Sequence, residues 1–433
     1  MKPFFSRWID ELQALAIIFA APFFLFPRIG FTWIYLAFPC LWIIRWRLRG
    51  RFFENTVIDW AIGLLLIEVV ATCLIVPNIR FSLSKIVGTV FGILIFYCLV
   101  NLLRTEQRIC WGVWGFATLG LGFAILGIVG MNWNSAATEK FSSRLISQIG
   151  RLIPTQNWRL PGAEEGFNPN AVAGTLLLFS PLLLVLLIND LKKTRRSRSS
   201  TKGLLRLVLI SIGVIMVGIE LALTQSVGSW VALFVSVWFL LLSRKWKTWC
   251  MVGVVAMVMI LIFVTPQLFS KKEESQSIYN IIKAKIEVRY PIYQAGFDAI
   301  KKNPVFGVGM NRLRLDPNVG YENSHAHNQL LQTGAELGIP GLAAYLAILF
   351  GVGWMSREVL KKTNKDWMKV AVRGLAGGQL AYFMFGVGDA IPLGAKTGVV
   401  FWLSLALLTA IYNNVLTEHW KRRESFEMEA RHI

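Results

Sequence analysis

The chain has 433 residues, of which 55% are hydrophobic and only 16% charged, with a formal net charge of +20. Soluble domains carry about a quarter of charged residues, so a soluble fold is excluded, and the apolar runs are continuous rather than alternating, which excludes a β-barrel. The basic residues gather in short stretches between apolar runs, a pattern of membrane topology and not of nucleic-acid binding.

In chain order the apolar runs predict an all-α polytopic membrane protein with about twelve transmembrane helices. Their limits fall near 9–27, 29–44, 57–77, 83–103, 110–130, 170–189, 204–223, 226–243, 249–265, 340–356, 370–388 and 393–413. The first run passes into the second without a cleavage-type sequence and is read as a retained span. Cys40, Cys73, Cys98, Cys110 and Cys250 lie in or at the ends of apolar runs, with neither metal nor disulfide spacing, as packing residues do. Glu68 and Glu220 fall inside apolar runs and are expected to face the bundle interior.

Basic clusters mark alternate connections: Arg45 to Arg51, Arg104 and Arg108, Lys192 to Arg206, Arg244 to Lys247, Arg357 to Lys369, and Lys421 to Arg423. The positive-inside rule puts these on the cytoplasmic side, with both termini and a tail at 414–433. The single transmembrane domain, 1–433, then carries two sizeable segments on the opposite face, 131–169 and 266–340.

The larger outer segment holds the distinctive polar residues. From Ile278 to Lys302 the apolar spacing predicts a helix lying along the membrane surface, kinked or split by Pro291. Pro304 stops it, and Gly307 and Gly309 permit a tight turn. Arg312, Arg314 and Glu322 follow, then His325 and His327, two of the four histidines in the chain. Pro340 suits the first turn of the next span.

His327-Asn328, nine residues, Gly338, two residues and Gly341 resemble the signature of the bacterial O-antigen ligase and polymerase superfamily. Arg289, Tyr293, Pro304 and Gly307-Val308-Gly309 match its upstream pattern, and Phe167-Asn168-Pro169-Asn170 a third element. There is one departure: Val227 stands where the family commonly carries an arginine after a serine. One phosphate-binding charge is thereby missing, and Arg312 or Arg314 is the candidate to replace it.

The resemblance implies glycosyl transfer from an undecaprenyl-pyrophosphate-linked glycan to a sugar hydroxyl in surface polysaccharide or O-antigen assembly. Polymerase is favoured over ligation to lipid A-core or to protein, and a chain-length regulator is the protein partner that a polymerase would have. The implied setting is the bacterial inner membrane with the site on the periplasmic face. Imidazole has an ordinary pKa near 6.5, which suits His327 as general base. Arg289 is expected on the pyrophosphate. Asn328, Arg312, Arg314, Tyr293, His325, Glu322 and Asn170 complete the expected substrate contacts, with no metal and no cofactor.

Each residue has a plainer reading. His327 caps the helix into the next span, Arg289 meets lipid headgroups, and Asn170 caps the sixth span. His325 is a spacer or an auxiliary hydrogen-bonding group. His325, His327 and Glu322 form a weak metal set. Asp389 pairs with Lys396 in the outer turn between the last two spans, or faces the site. A transporter without covalent chemistry is the competing class, although no repeated halves are present, and an inactive family member is the third.

Overall fold

The computed structural model describes residues 2–25, 37–131, 166–196, 201–224, 226–241, 278–319 and 325–430. Among these the chain is helical apart from turns and one isolated bridge, Met131 to Phe167. That bridge brings together the two ends of the expected outer segment 131–169. The helices in chain order are α1 (Lys2–Leu25), α2 (Ala37–Arg49), α3 (Asp59–Ile75), α4 (Arg80–Leu102), α5 (Glu106–Gly130), α6 (Pro169–Leu176) and α7 (Ser180–Arg196). There follow α8 (Thr201–Thr224), α9 (Val227–Leu241), α10 (Ile278–Lys302), α11 (Gln329–Lys362), α12 (Asp366–Gly388) and α13 (Val399–Ala430).

Six helices among the described residues are long and apolar enough to cross a membrane: α4, α5, α8, α11, α12 and α13. The pair α6 and α7, bent by 41°, makes a seventh if it is one span. The sequence predicts about twelve. The expected span at 249–265 lies outside the described residues, and part of 29–44 does too. Those at 57–77 and 226–243 are the shorter α3, of 17 residues, and α9, of 15. The tail expected from 414 continues α13 as far as Ala430, and α10 runs through Pro291 without being split.

One large core joins the bundle, with Trp402, Phe401, Phe96, Phe179 and Tyr345 among its fully buried side chains. Trp402 packs edge-on against Phe96 of α4 and against Phe401. Glu68 and Glu220 are buried, as their apolar surroundings in the sequence require.

The two ends of the bundle differ. At one end Arg45 is fully buried between Asp10 at 3.3 Å and Glu54 at 3.1 Å, and Arg104 reaches Glu54 at 2.6 Å. At this end too Lys365 pairs with Glu418 at 2.7 Å and with Glu106. α4 and α12 run from there to the other end, where the histidine segment lies.

That segment is fixed by an interlock whose backbone accounting closes. Gly338 interrupts α11 with φ 70° and ψ −175°, a conformation open essentially to glycine. Pro340 has no N–H to give the carbonyl of Glu336. Ile339 N donates to Pro304 O at 2.7 Å instead of to Ala335 O. The turn 303–309 fills both vacancies: Val308 N donates to Ala335 O at 2.9 Å, and Gly309 N to Glu336 O at 3.0 Å. A Cβ on Gly338 would lie 2.1 Å from Val305 O. Gly338→Ala is therefore expected to destabilise the protein by at least about 1–3 kcal/mol. Thermal unfolding in detergent checks this, and a variant melting with the parent would refute the interlock.

Candidate active site

Asn328 opens α11 as its N-cap, its side-chain oxygen accepting from Leu331 N at 3.0 Å. Its amide nitrogen donates to Val387 O at 3.1 Å, near the end of α12. Arg289 on α10 donates to the next carbonyl, Gly388 O, at 3.0 Å. Carbonyls at a helix C-terminus lack partners within the helix, and these two residues supply them. The residue that follows is Asp389, whose N–H still bonds Phe385 O at 2.9 Å and whose backbone is extended. Two expected site residues thus hold the helix end that presents a third group.

Asp389 faces the histidines. Its Oδ1 lies 2.9 Å from His325 Nε2 and 3.1 Å from His327 Nδ1, and the two rings are 4.6 Å apart at 57°. Of the two readings of Asp389, the structure shows the one that faces the site. Burial pushes the Asp389 carboxyl up, but the hydrogen bonds from His325 and His327 outweigh burial and hold it well below the usual carboxylate range. Its contribution to stability is accordingly present above the ordinary carboxylate pKa and lost as pH falls through the lower folded-state value. An ionised Asp389 requires a proton on each nitrogen that faces it, which leaves the Nε2 lone pair of neutral His327 available. His327 takes a left-handed backbone, φ 50°, which costs about 1–2 kcal/mol. Gln332, one turn into α11, accepts from Ala326 N at 2.6 Å and pins the segment between the two histidines.

These groups line a cavity of about 380 Å³. Lys85 of α4, Arg314 and Asn170 line it as well. Its wall between α12 and α13 rests on the close approach of Gly394 to α4, where a Cβ would lie 1.9 Å from Lys85 O.

Of the other expected residues, Arg314 and Asn170 reach the cavity. The capping role considered for Asn170 belongs to Asn168, which accepts from Asn170 N at 2.9 Å and Ala171 N at 3.3 Å. Likewise Asn328, not His327, caps α11. Arg312 points away from the cavity, towards Asn78 O at 3.4 Å. Tyr293 packs against a satellite core with Ile292, Ala295 and Leu331 and is not part of the cavity wall, because its face of α10 lies on α11. Glu322 lies outside the described residues. Val227 begins α9, half exposed and off the cavity wall.

Lys85 and Asn311 line the cavity but carry no signal in the sequence, and Asp389 is open there between Lys396 and the site. Asp389 and Lys85 stand far from the histidines in the chain, and no local spacing links them. His325, His327 and Asp389 place their ligand-type atoms within 4.8 Å of one another, a three-donor set with metal-binding chemistry.

Residues 212–346 match the family model described as O-antigen ligase. This stretch is similar to the O-antigen ligase family. It includes α9, α10, the turn 303–309, both histidines and the break at Gly338. Lys85, Asn170 and Asp389 lie outside it, so the cavity joins this stretch to flanking parts of the chain. A comparison with the curated proteins gives no match.

Proposed function

We propose that this chain transfers a glycan from a lipid pyrophosphate, of the undecaprenyl class, to a sugar hydroxyl in surface-polysaccharide assembly. The observation that carries the reading is the single oxygen of Asp389 bridging His327 and His325 inside a cavity that cations line. His327 Nε2 takes the proton of the acceptor hydroxyl as that oxygen bonds to the anomeric carbon. The bond from that carbon to the pyrophosphate oxygen breaks, and the electron pair leaves with the pyrophosphate. Direct displacement of this kind inverts the anomeric centre.

The leaving group is already a good one, so its charge needs holding more than it needs a proton. Arg289, which bonds the carbonyl next to Asp389, is assigned to hold that charge. Its planar guanidinium offers five donors, and one bond to Gly388 O leaves the others. His325 shares the Asp389 oxygen and positions it.

The cavity lies at the end of the bundle opposite Arg104, Lys365 and their acidic partners. With the basic end cytoplasmic, as the positive-inside rule directs, the site faces the periplasm of an inner-membrane protein. The acceptor and the lipid-linked donor are both found on that side when a polysaccharide is assembled outside the cytoplasm.

Reconstitution of the purified chain in liposomes with a lipid-linked glycan and a sugar acceptor tests the proposal. Covalent product is expected, including in the presence of EDTA. Movement of the lipid-linked glycan between leaflets without product would replace the transferase by a transporter.

A further inference from the structure

Away from the histidine cavity, a groove of about 480 Å³ opens between α4, α5 and α13, three of the helices long and apolar enough to cross a membrane. Leu99 and Leu102 of α4, Phe116 and Leu119 of α5, and Leu403 and Leu407 of α13 make its wall apolar. Gly112 lets α5 approach α13, since a Cβ there would lie 2.8 Å from Leu407 Cδ2. At Gly115, three residues on, a Cβ would meet nothing within 4 Å. The room in the groove is therefore partly that of a missing side chain. A wall of this kind offers dispersion and exclusion of water, and it fits hydrocarbon.

The mouth of the groove is charged. Arg108 and Glu11 stand there as an ion pair, beside the exposed Trp111. Asp10, the neighbour of Glu11, pairs with Arg45, Arg49 and Arg104, so the mouth lies at the basic end of the bundle, opposite the histidines. With that end cytoplasmic, the tryptophan and the ion pair sit at the level of the cytoplasmic headgroups. From Arg108 to Leu119 the groove follows eleven residues of α5, about 16 Å. That is close to half the thickness of the hydrocarbon core, the depth of one leaflet. A partner helix would need a groove along the whole of α5; one acyl chain needs this depth only. The two charges are also not fully used. Glu11 Oε1 accepts from Arg108, but Glu11 Oε2 is buried and has no hydrogen-bond partner among the described residues. Arg108 donates to Leu102 O at 3.3 Å and to Glu11, and its guanidinium has further N–H groups. A buried carboxylate oxygen without a donor is unfavourable, and an N–H supplied from outside removes that cost.

We infer that this groove binds a phospholipid of the cytoplasmic leaflet whose headgroup is a zwitterion with a primary ammonium, the phosphatidylethanolamine class. One acyl chain lies along Gly115, the ammonium donates to Glu11 Oε2, and the phosphate accepts from Arg108. The ion pair is neutral as a whole, so it matches a headgroup that is neutral as a whole. An anionic headgroup would bring an uncompensated negative charge against Glu11. A choline headgroup has the same charges as ethanolamine but no N–H to give, and Oε2 would stay without a donor. The site lies at the far end of the bundle from the histidines and does not depend on the transferase reading.

Native mass spectrometry of the whole chain, titrated in detergent with dioleoyl phosphatidylethanolamine, phosphatidylcholine or phosphatidylglycerol, tests the site. The wild type is expected to bind the ethanolamine lipid about tenfold or more tighter than the choline lipid, as one charge-assisted hydrogen bond does. This arm needs no variant to fold. Gly115→Leu puts a good helix former where the backbone faces open space, so it should keep the parent melting temperature and lose the preference. Glu11→Gln should remove most of the difference between the two lipids, since the ammonium then meets a neutral amide. Equal affinity of the wild type for ethanolamine and choline lipids would overturn the site and leave an ordinary lipid contact. So would a preference that survives Gly115→Leu, which would place it elsewhere on the protein. Tightest binding of phosphatidylglycerol would assign Arg108 to an anionic headgroup instead, and a dimer that Gly115→Leu dissolves would give the groove to a second copy of the chain.

Discussion

His327→Ala is expected to lower glycan transfer by about two to four orders of magnitude, the usual worth of a positioned general base. The side chain can be lost without harm to the fold. Asn328 caps α11, Gln332 pins Ala326, and the turn 303–309 docks onto the broken helix through its backbone. The left-handed backbone at residue 327 also costs an alanine somewhat more than it costs histidine, by a small amount beside the catalytic loss. Single-turnover rates with a lipid-linked donor, beside a melting curve that matches the parent, check this. Transfer at a near-normal rate would remove His327 from the role of base.

Asp389→Asn should come close to it, with a loss of about a hundredfold or more in kcat. The amide oxygen that replaces Oδ1 is neutral, so it holds a proton on each facing nitrogen far less firmly than the carboxylate does. His327 is then free to place its proton on Nε2, the nitrogen the acceptor needs unprotonated. This is the logic by which an aspartate fixes the tautomer of a catalytic histidine in Ser-His-Asp enzymes. Asp389 acts through the histidines as a positioning residue, so kcat falls while KM for the donor stays near its original value. Asp389→Glu should recover part of the rate, since it keeps the charge at a shifted position. A parallel rise in donor KM, with no gain from glutamate, would show that the residue contacts the donor or merely supports the fold.

The parts of the site that local spacing encodes are open to sequence reasoning. His327-Asn328 followed by Gly338 and Gly341 is one such pattern, and the structure gives its physical content: an N-cap, nine helical residues, and a break that only glycine permits. Pro304 and Gly307 to Gly309 are another, since a turn of that composition can lay its N–H groups against the carbonyls the break exposes. At α10 periodicity predicts a helix from Ile278 to Lys302, which the structure has, and of the kink or split expected at Pro291 the split is absent. Losing one backbone hydrogen bond at a proline does not by itself end a helix, and beyond Pro291 the residues Ile292, Ala295 and Ala299 pack α10 with Leu331 of α11.

Tyr293 shows the limit of reasoning from a motif. Its spacing from Arg289 is that of one helix turn, but the side chain serves the contact between α10 and α11, not the cavity. Asp389 shows the opposite failure. It stands 62 and 64 positions from the histidines it joins, beyond two long apolar helices, and its nearest charged neighbour in the sequence suggests a different partner.

By itself the sequence determined the helical membrane class, the side on which positive charge collects, and the histidine as the group able to take a proton. Those properties follow from residues near one another in the chain: apolar runs, charge clusters, and the glycines and proline that break a helix. Only the tertiary structure decided which groups share the cavity. α12 ends where α11 begins, so Asp389 meets both imidazoles, and α4 brings Lys85 beside Arg314. Electrostatic coupling depends on distance in space, and folding alone sets that distance.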